Sequence, residues 1–432
     1  MLLVGFGVHA ALLRRHTPQE GRVLTPAFLL HLVSGFGQVL LVRYYYGFGD
    51  MLEYYAYGVP IAEQFRSDPV TFGPALVQAF LHLEFDVPLE MPGGGSTLSM
   101  AVVAATLFFL LGNSLYAAVL ALAVGSYVSK VLIYRALAPD FAPEQRRYVL
   151  MGATLLPTAA FWTSALLKEP VVMVAIGPLL LSLRWLSAGH RRAASLVMGA
   201  IAATVIAVIK PYVLMALSIA AALFYFWSRL FSKDAPALKP FALVTALVIG
   251  TGGFVLGNRF FAKSEGDSAA AALARQRMNA AAVEGGSNYA LEGPGPASDA
   301  TERSLANELA LAPLAVFTAL FRPVLFEARN VVQFANALEA TFLLVLFVQI
   351  LRARGVGGLL RAVRGSPTML FCAVFTLALA LGTGLASGNL GTLSRYRAPM
   401  MPFFFVLLLV LRYEREGQRQ GALGFTLAGE AR

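Results

Sequence analysis

Charge, cysteine and histidine are all scarce in this chain, and each scarcity excludes a class of protein. Only 13% of its 432 residues are charged, about half the share of a soluble globular domain. The single cysteine, Cys372, sits within an apolar run, so neither a disulfide framework nor a cysteine metal site is available. Five histidines (His9, His16, His31, His82 and His190) are dispersed and offer no metal-ligand spacing. The sequence also lacks a P-loop, a glycine-rich dinucleotide fingerprint after a strand and a Gly-x-Ser-x-Gly elbow. No cofactor is indicated, and a divalent metal has no support.

Apolar sequence is what the chain has in abundance. Hydrophobic residues make up 58% of it, and the mean hydropathy is +0.68. Apolar runs of about 17 to 22 residues recur along nearly the whole length, as crossing a hydrocarbon core of about 30 Å requires. They lack the period-two alternation of β-barrel strands. The pattern predicts an all-α, polytopic integral membrane protein, with one transmembrane domain over 1–432. The net charge of +10 comes from short basic clusters between apolar runs. That is the positive-inside signature, and it speaks for membrane lipids as surroundings and against nucleic acid.

Clusters such as Arg14/Arg15/Arg22, Lys130/Arg135/Arg146/Arg147, Arg184/Arg191/Arg192 and Arg352/Arg354/Arg361/Arg364 mark the cytoplasmic side. Two crossings must separate each neighbouring pair. Candidate spans lie at 25–42, 114–135, 148–166, 170–186, 193–209, 212–228, 240–257, 333–351, 367–386 and 398–411, roughly ten in all. Parity leaves 97–112, broken from its successor by Gly112-Asn113, as a re-entrant or interfacial helix. Met1 to Leu13 reads as a short extra span or anchor, because Arg14 and Arg15 come after its apolar run, the reverse of a secretory signal. Two outer loops are long. The first, 43–96, mixes carboxylates with apolar stretches, which suits interfacial helices. The second, 258–332, is Ala- and Gly-rich around 264–299 and there expected to be mobile, and it ends in an apolar stretch around Phe321-Arg322-Pro323. No internal repeat is evident, which counts against an inverted-repeat transporter.

The candidate chemistry gathers in these outer segments. Asp50 lies just past the first crossing, in the tyrosine-rich run from Tyr44 to Gly58, where a carboxylate can serve as a base at a membrane surface. It equally suits a helix cap, with Glu53 at the third helical position. The tyrosines suit an aromatic interfacial belt and also a sugar-stacking surface. Glu53, Tyr54 and Tyr55 are therefore the candidate acceptor- and sugar-binding residues. Four basic residues occupy short outer turns, where the orientation rule predicts few: Lys168, Lys210, Arg395 and Arg397. Lys168-Glu169 also reads as a local ion pair at a helix end, and Lys210 before Pro211 as a cap on a broken turn. Arg395 and Arg397, straddling Tyr396, favour phosphate or pyrophosphate, whose oxygens the planar guanidinium fork matches.

Together these residues resemble the GT-C-type membrane glycosyltransferases that use polyprenyl-phosphate-linked sugars, in the bacterial branch related to protein mannosyltransferases (glycosyltransferase family 39). Four features carry the resemblance: Asp50 with Tyr54 after the first span, Leu156-Pro157 followed by Phe161-Trp162-Thr163-Ser164 and Lys168-Glu169, the Lys210-Pro211 break, and Arg395-Tyr396-Arg397 before a final span. The likeness covers the framework from about 24 to 412. It implies a GT-C-like fold, Asp50 as general base with inversion at the anomeric carbon, and Arg395, Arg397, Lys168 and Lys210 as ligands of the donor phosphate. It also implies an inner-membrane enzyme whose active site faces the periplasm. Met51 follows Asp50 where the protein mannosyltransferases have an Asp-Glu pair, and their large soluble domain is absent. The implied acceptor is therefore a cell-envelope glycan or lipid. An O-antigen-type polymerase or ligase acting on lipid-pyrophosphate glycans, and a lipid-linked glycan flippase or transporter, are the alternatives.

Overall fold

The computed structural model describes residues 1–86, 94–231, 288, 289, 291 and 310–413, with backbone only for 225–231. The expected span at 240–257 and nearly all of the segment 264–299 lie outside the described residues. Those described form helices, and the one β-bridge among them joins Asn288 to Asn389. Six helices are long and apolar enough to cross a membrane: Pro18–Tyr46, Leu115–Asp140, Lys168–Ser187, Arg192–Ile209, Val331–Arg364 and Pro367–Ala386. A bent pair, Leu390–Tyr396 and Met401–Tyr413, makes a seventh if its two arms are one span. This is an all-α protein with the helices of a membrane-embedded chain.

The chain divides into two compact units. The first comprises Met1–Ala136 and Pro157–Leu214. It holds α1 (Leu2–Leu13), α2 (Pro18–Leu40), α3 (Asp50–Ser67), α4 (Pro69–Phe80), α5 (Ser96–Leu111) and most of α6 (Leu115–Leu137). After an excursion into the second unit it continues with α8 (Pro157–Trp162), α9 (Lys168–Ser187), α10 (Arg192–Ile209) and the start of α11 (Pro211–Phe231). Local chemistry fixes where the first long helix begins. The Thr17 hydroxyl accepts from the Glu20 N–H at 3.3 Å, while the Glu20 carboxylate accepts from the Thr17 N–H at 2.9 Å, a reciprocal capping box in front of Pro18. At its other end α2 widens into a π turn, Leu41–Tyr46.

α2 and α6 run antiparallel, since Glu20 meets Tyr134, Phe28 meets Tyr127 and Phe36 meets Tyr116. Gly35 lets α2 pass close to both α6 and the segment after Trp162, because a Cβ there would lie 3.1 Å from Val119 Cγ1 and 2.8 Å from the Ser164 carbonyl oxygen. α3 and α5 run parallel. Gly58 faces Ala104, Phe65 stacks near Phe109, and Arg66 donates to Asn113 Oδ1 at 2.9 Å and to the Phe108 carbonyl at 2.5 Å. That arginine satisfies terminal carbonyls of α5 with a cation, the sign that end of a helix prefers. Gly112 (φ 71°) and Asn113 (φ 61°) then turn the chain in two consecutive left-handed steps, which is why the apolar sequence from α5 to α6 does not continue as one helix.

The second unit comprises Leu137–Leu156 and Met215–Arg432. It holds α7 (Pro143–Thr154), α12 (Ala312–Phe321), α13 (Val331–Arg364, interrupted at Gly355), α14 (Pro367–Ala386), α15 (Leu390–Tyr396) and α16 (Met401–Tyr413). Asn330 caps α13 by accepting from the Gln333 N–H at 2.9 Å, and Asn389 caps α15 by accepting from Gly391 and Thr392. Phe371, Phe375 and Phe403 form an aromatic cluster between α14 and α16.

Two expectations need correction. The run 148–166 is not one helix, because it breaks after Thr154 and again after Trp162, giving α7 and the six-residue α8. Pro157 has no N–H to continue α7, and the Thr163 hydroxyl turns back onto the Ala159 carbonyl at 2.5 Å. Lys130, grouped by charge with a cytoplasmic cluster, is instead 1% exposed in the interior of α6.

Candidate functional site

Four helices of the first unit carry chemistry-bearing residues to one end. α9 begins at Lys168, and its ammonium donates to Ser96 Oγ at 3.0 Å and Thr97 Oγ1 at 3.1 Å, in the first turn of α5. The next residue, Glu169, is fully buried and takes the Lys210 ammonium at 2.6 Å. Lys210 ends α10 and stands just before Pro211, with its Nζ 5.6 Å from the centre of the Tyr212 ring. Register adds Asp50. α3 and α5 are parallel with Gly58 against Ala104, and Asp50 precedes Gly58 by as many residues as Ser96 precedes Ala104. Asp50 therefore stands level with Ser96 and Thr97, the residues that hold Lys168. The starts of α3, α5 and α9 converge, and their partial positive charge favours an anion among them.

The alternative explanations for these residues are now answerable. Asp50 is not the N-cap of α3. Gly49 is, with no side-chain cap, and Asp50 is the first helical residue, with Glu53 in the same turn. Both carboxylates complement the helix dipole there. Glu169 does form a salt bridge, but with Lys210, 41 residues on, and the two side chains are 0% and 5% exposed. Among the expected sugar-contact residues, Glu53 is exposed and Tyr55 packs edge-on against Phe108 at 5.3 Å. Tyr54 is 3% exposed and belongs to the core.

Sequence reasoning missed His82. It comes just after α4, and its Nε2 lies 2.7 Å from Ser99 Oγ in the first turns of α5, which brings a titratable ring to the same end. Burial lowers its pKa below the ordinary value, against a backbone hydrogen bond to Gly95 that raises it. Dispersal in sequence hid it, since nothing in the pattern pairs it with Ser99, 17 residues on. Beside this end, an apolar groove of about 840 Å³ runs between α5, α9 and α10. Val103, Leu107, Val171, Pro178, Val197 and Ile201 are among its lining residues. Val171 is one helical turn beyond Lys168 on α9.

The arginines belong to the second unit and part company there. Arg397 is fully buried and donates from Nη1 to the carbonyls of Arg322 (2.6 Å) and Ala319 (3.3 Å), where α12 ends. Its Nε and Nη2 have no hydrogen-bond partner among the described residues. Arg395 is partly exposed, 5.5 Å from the centre of the Tyr396 ring. Arg322 joins this neighbourhood through its bidentate ion pair with Glu327 and its guanidinium 4.8 Å from the Tyr289 ring. The two arginines of the Arg-x-Arg motif thus differ in exposure, and Arg397 is committed to main chain.

No group of three or more His, Cys, Asp or Glu side chains among the described residues stands close enough to hold a metal ion. Compared with known proteins, the chain matches no family model, no curated protein and no solved structure.

Proposed function

We propose that the chain is a membrane glycosyltransferase that moves a sugar from a polyprenyl-phosphate donor to a cell-envelope glycan or lipid acceptor, with its site at the Asp50–Lys168 end of the first unit. The observation that carries the reading is the register that puts the Asp50 carboxylate level with Ser96 and Thr97, which hold the Lys168 ammonium, beside an apolar groove suited to a lipid chain. In the reaction Asp50 takes the proton of the acceptor hydroxyl as its oxygen attacks the anomeric carbon from the face opposite the phosphate. The bond from that carbon to the phosphate oxygen breaks, the configuration inverts, and the lipid phosphate leaves with its charge met by Lys168 and the helix starts. Lys210 acts at one remove, since its charge is engaged by Glu169. Glu53 and Tyr55, beside Asp50 and open to an incoming acceptor, are assigned to the sugar and acceptor. The proposal includes a chain of roughly ten spans in a bacterial inner membrane, with this end outward, on the strength of the charge pattern.

Asp50→Asn is the direct test. In cells lacking the gene, the variant is expected to insert at the wild-type level and to leave the envelope glycan incomplete, a loss of about 10²-fold or more in transfer. Restoration of the glycan by Asp50→Asn would overturn the assignment. A second reading, polymerisation or ligation of a lipid-pyrophosphate glycan, is favoured by one observation, the unpartnered Nε and Nη2 of Arg397. Under it, Arg395→Ala and Arg397→Ala each abolish activity and Asp50→Asn does not.

A further inference from the structure

We infer that Lys130 is a positioning residue, which sets from inside the helix pair α2–α6 the turn that delivers Lys168 to the proposed phosphate site. The inference rests on that reading of the Lys168 end and adds a residue the proposed chemistry does not use.

An ammonium has three protons to donate, and the hydrogen bonds of Lys130 include those to His31 Nε2 at 3.0 Å, to the Ala159 carbonyl at 3.1 Å and to Thr163 Oγ1 at 3.0 Å. The directions are mutually consistent. His31 donates from Nδ1 to the Ala27 carbonyl at 2.7 Å, which leaves its Nε2 lone pair to accept from Lys130. The Thr163 hydroxyl accepts from Lys130 and passes its own proton to the Ala159 carbonyl at 2.5 Å. Both Lys130 and His31 are essentially without solvent exposure.

Two of these acceptors lie where α8 ends. The last carbonyls of a helix have no intrahelical partner and carry partial negative charge, so a cation directed at them both satisfies and holds them. Gln38 supplies a second grip by donating to the Phe161 carbonyl, and Gly35 lets α2 approach the Ser164 carbonyl. The link from this clamp to the site is short. Residues Thr163 to Leu167 are all buried, and the next two, Lys168 and Glu169, are the site cation and the partner of Lys210. A buried ammonium is costly inside a membrane helix, and methionine would fill the same space. What the ammonium alone provides is a set of directed donors that ties two acceptors at the end of α8 to His31 on α2.

The test titrates full-length protein in nanodiscs with farnesyl phosphate. Wild-type binding that weakens about tenfold in Lys168→Ala supports the site, while absence of saturable wild-type binding overturns the phosphate reading and this inference with it. Given wild-type binding, Lys130→Met and Thr163→Val are each expected to weaken it about three- to tenfold and to add nothing in the Lys168→Ala background. Wild-type affinity in both variants, or losses that simply add to that of Lys168→Ala, would overturn the inference alone, whatever happens to the melting temperature. Should Lys130→Met fail to fold, Thr163→Val decides, because it keeps the side-chain shape and removes only the hydroxyl.

Discussion

Each unit buries a cation just past the end of a helix, Lys210 after α10 and Arg397 after α15, and the two are settled differently. In the first, Lys210 meets Glu169, side chain against side chain, at 2.6 Å. In the second, Arg397 gives hydrogens to main-chain carbonyls at the end of α12. A carbonyl in a helix cannot be repositioned without moving the helix, whereas a carboxylate–ammonium pair can be opened by a competing anion. The contrast separates a buttress from an exchangeable pair.

The hardest blow to that contrast is Glu169→Ala. It leaves the Lys210 ammonium buried without its counter-ion and is expected to cost about 3–5 kcal/mol, read by thermal unfolding in nanodiscs. Replacing both residues by leucine should recover most of the loss, since a well-packed apolar pair often substitutes for a buried ionic one. A cost below about 1 kcal/mol for the single change would mean the pair behaves as a solvated one, and the comparison would collapse. Arg397→Met comes next. Losing charged hydrogen bonds to two carbonyls should cost about 1.5–3 kcal/mol, with farnesyl phosphate binding by the first unit unchanged. Weakened binding in that variant would instead tie Arg397 to the ligand.

The smallest effect concerns pH. Burial pushes the Glu327 carboxyl up, but hydrogen bonds from Arg322 and Val324, with the charge of Arg322, outweigh it and hold the pKa below the ordinary value of 4.5. A depressed carboxylate pKa contributes stability above the ordinary value, and that contribution is lost as pH falls through the folded-state value. Stability should therefore fall more steeply below about pH 4.5 in the wild type than in Glu327→Gln, by under about 1 kcal/mol for a partly exposed pair. Parallel pH curves would show that Arg322 is held by something other than Glu327.

Long periodic apolar segments were legible from sequence, as α2, α6, α9, α10, α13 and α14 attest. So was the break at Gly112-Asn113, because two residues tolerant of left-handed backbone stand together there. The double break around α8 was not, because a turn buried among apolar neighbours reads like the helices beside it and its hydrogen bonds come from Gln38 and Lys130, far away in sequence. Lys130 was misplaced for the same reason: a charge rule counts residues and cannot see a histidine and two helix-end acceptors waiting inside. At the candidate site the residue types were readable, but their pairing was not. Sequence proximity suggested Lys168 for Glu169, and the fold supplied Lys210. His82 became visible only through its contact with Ser99.

The π turn closing α2 has a mechanical consequence. Such a turn carries an extra residue relative to an α-helix, so the chain beyond it is swung by about 100° from its α-helical bearing. Tyr44, Tyr45 and Tyr46, with Phe48 beyond, are all exposed, and the rings of Tyr45, Tyr46 and Phe48 contact one another in turn at the helix tip. At mid-length the same helix is keyed to α6 by His31. α2 is thus fixed at its middle by Lys130, and the change of pitch at its tip sets the bearing on which the chain leaves toward Asp50 at the start of α3.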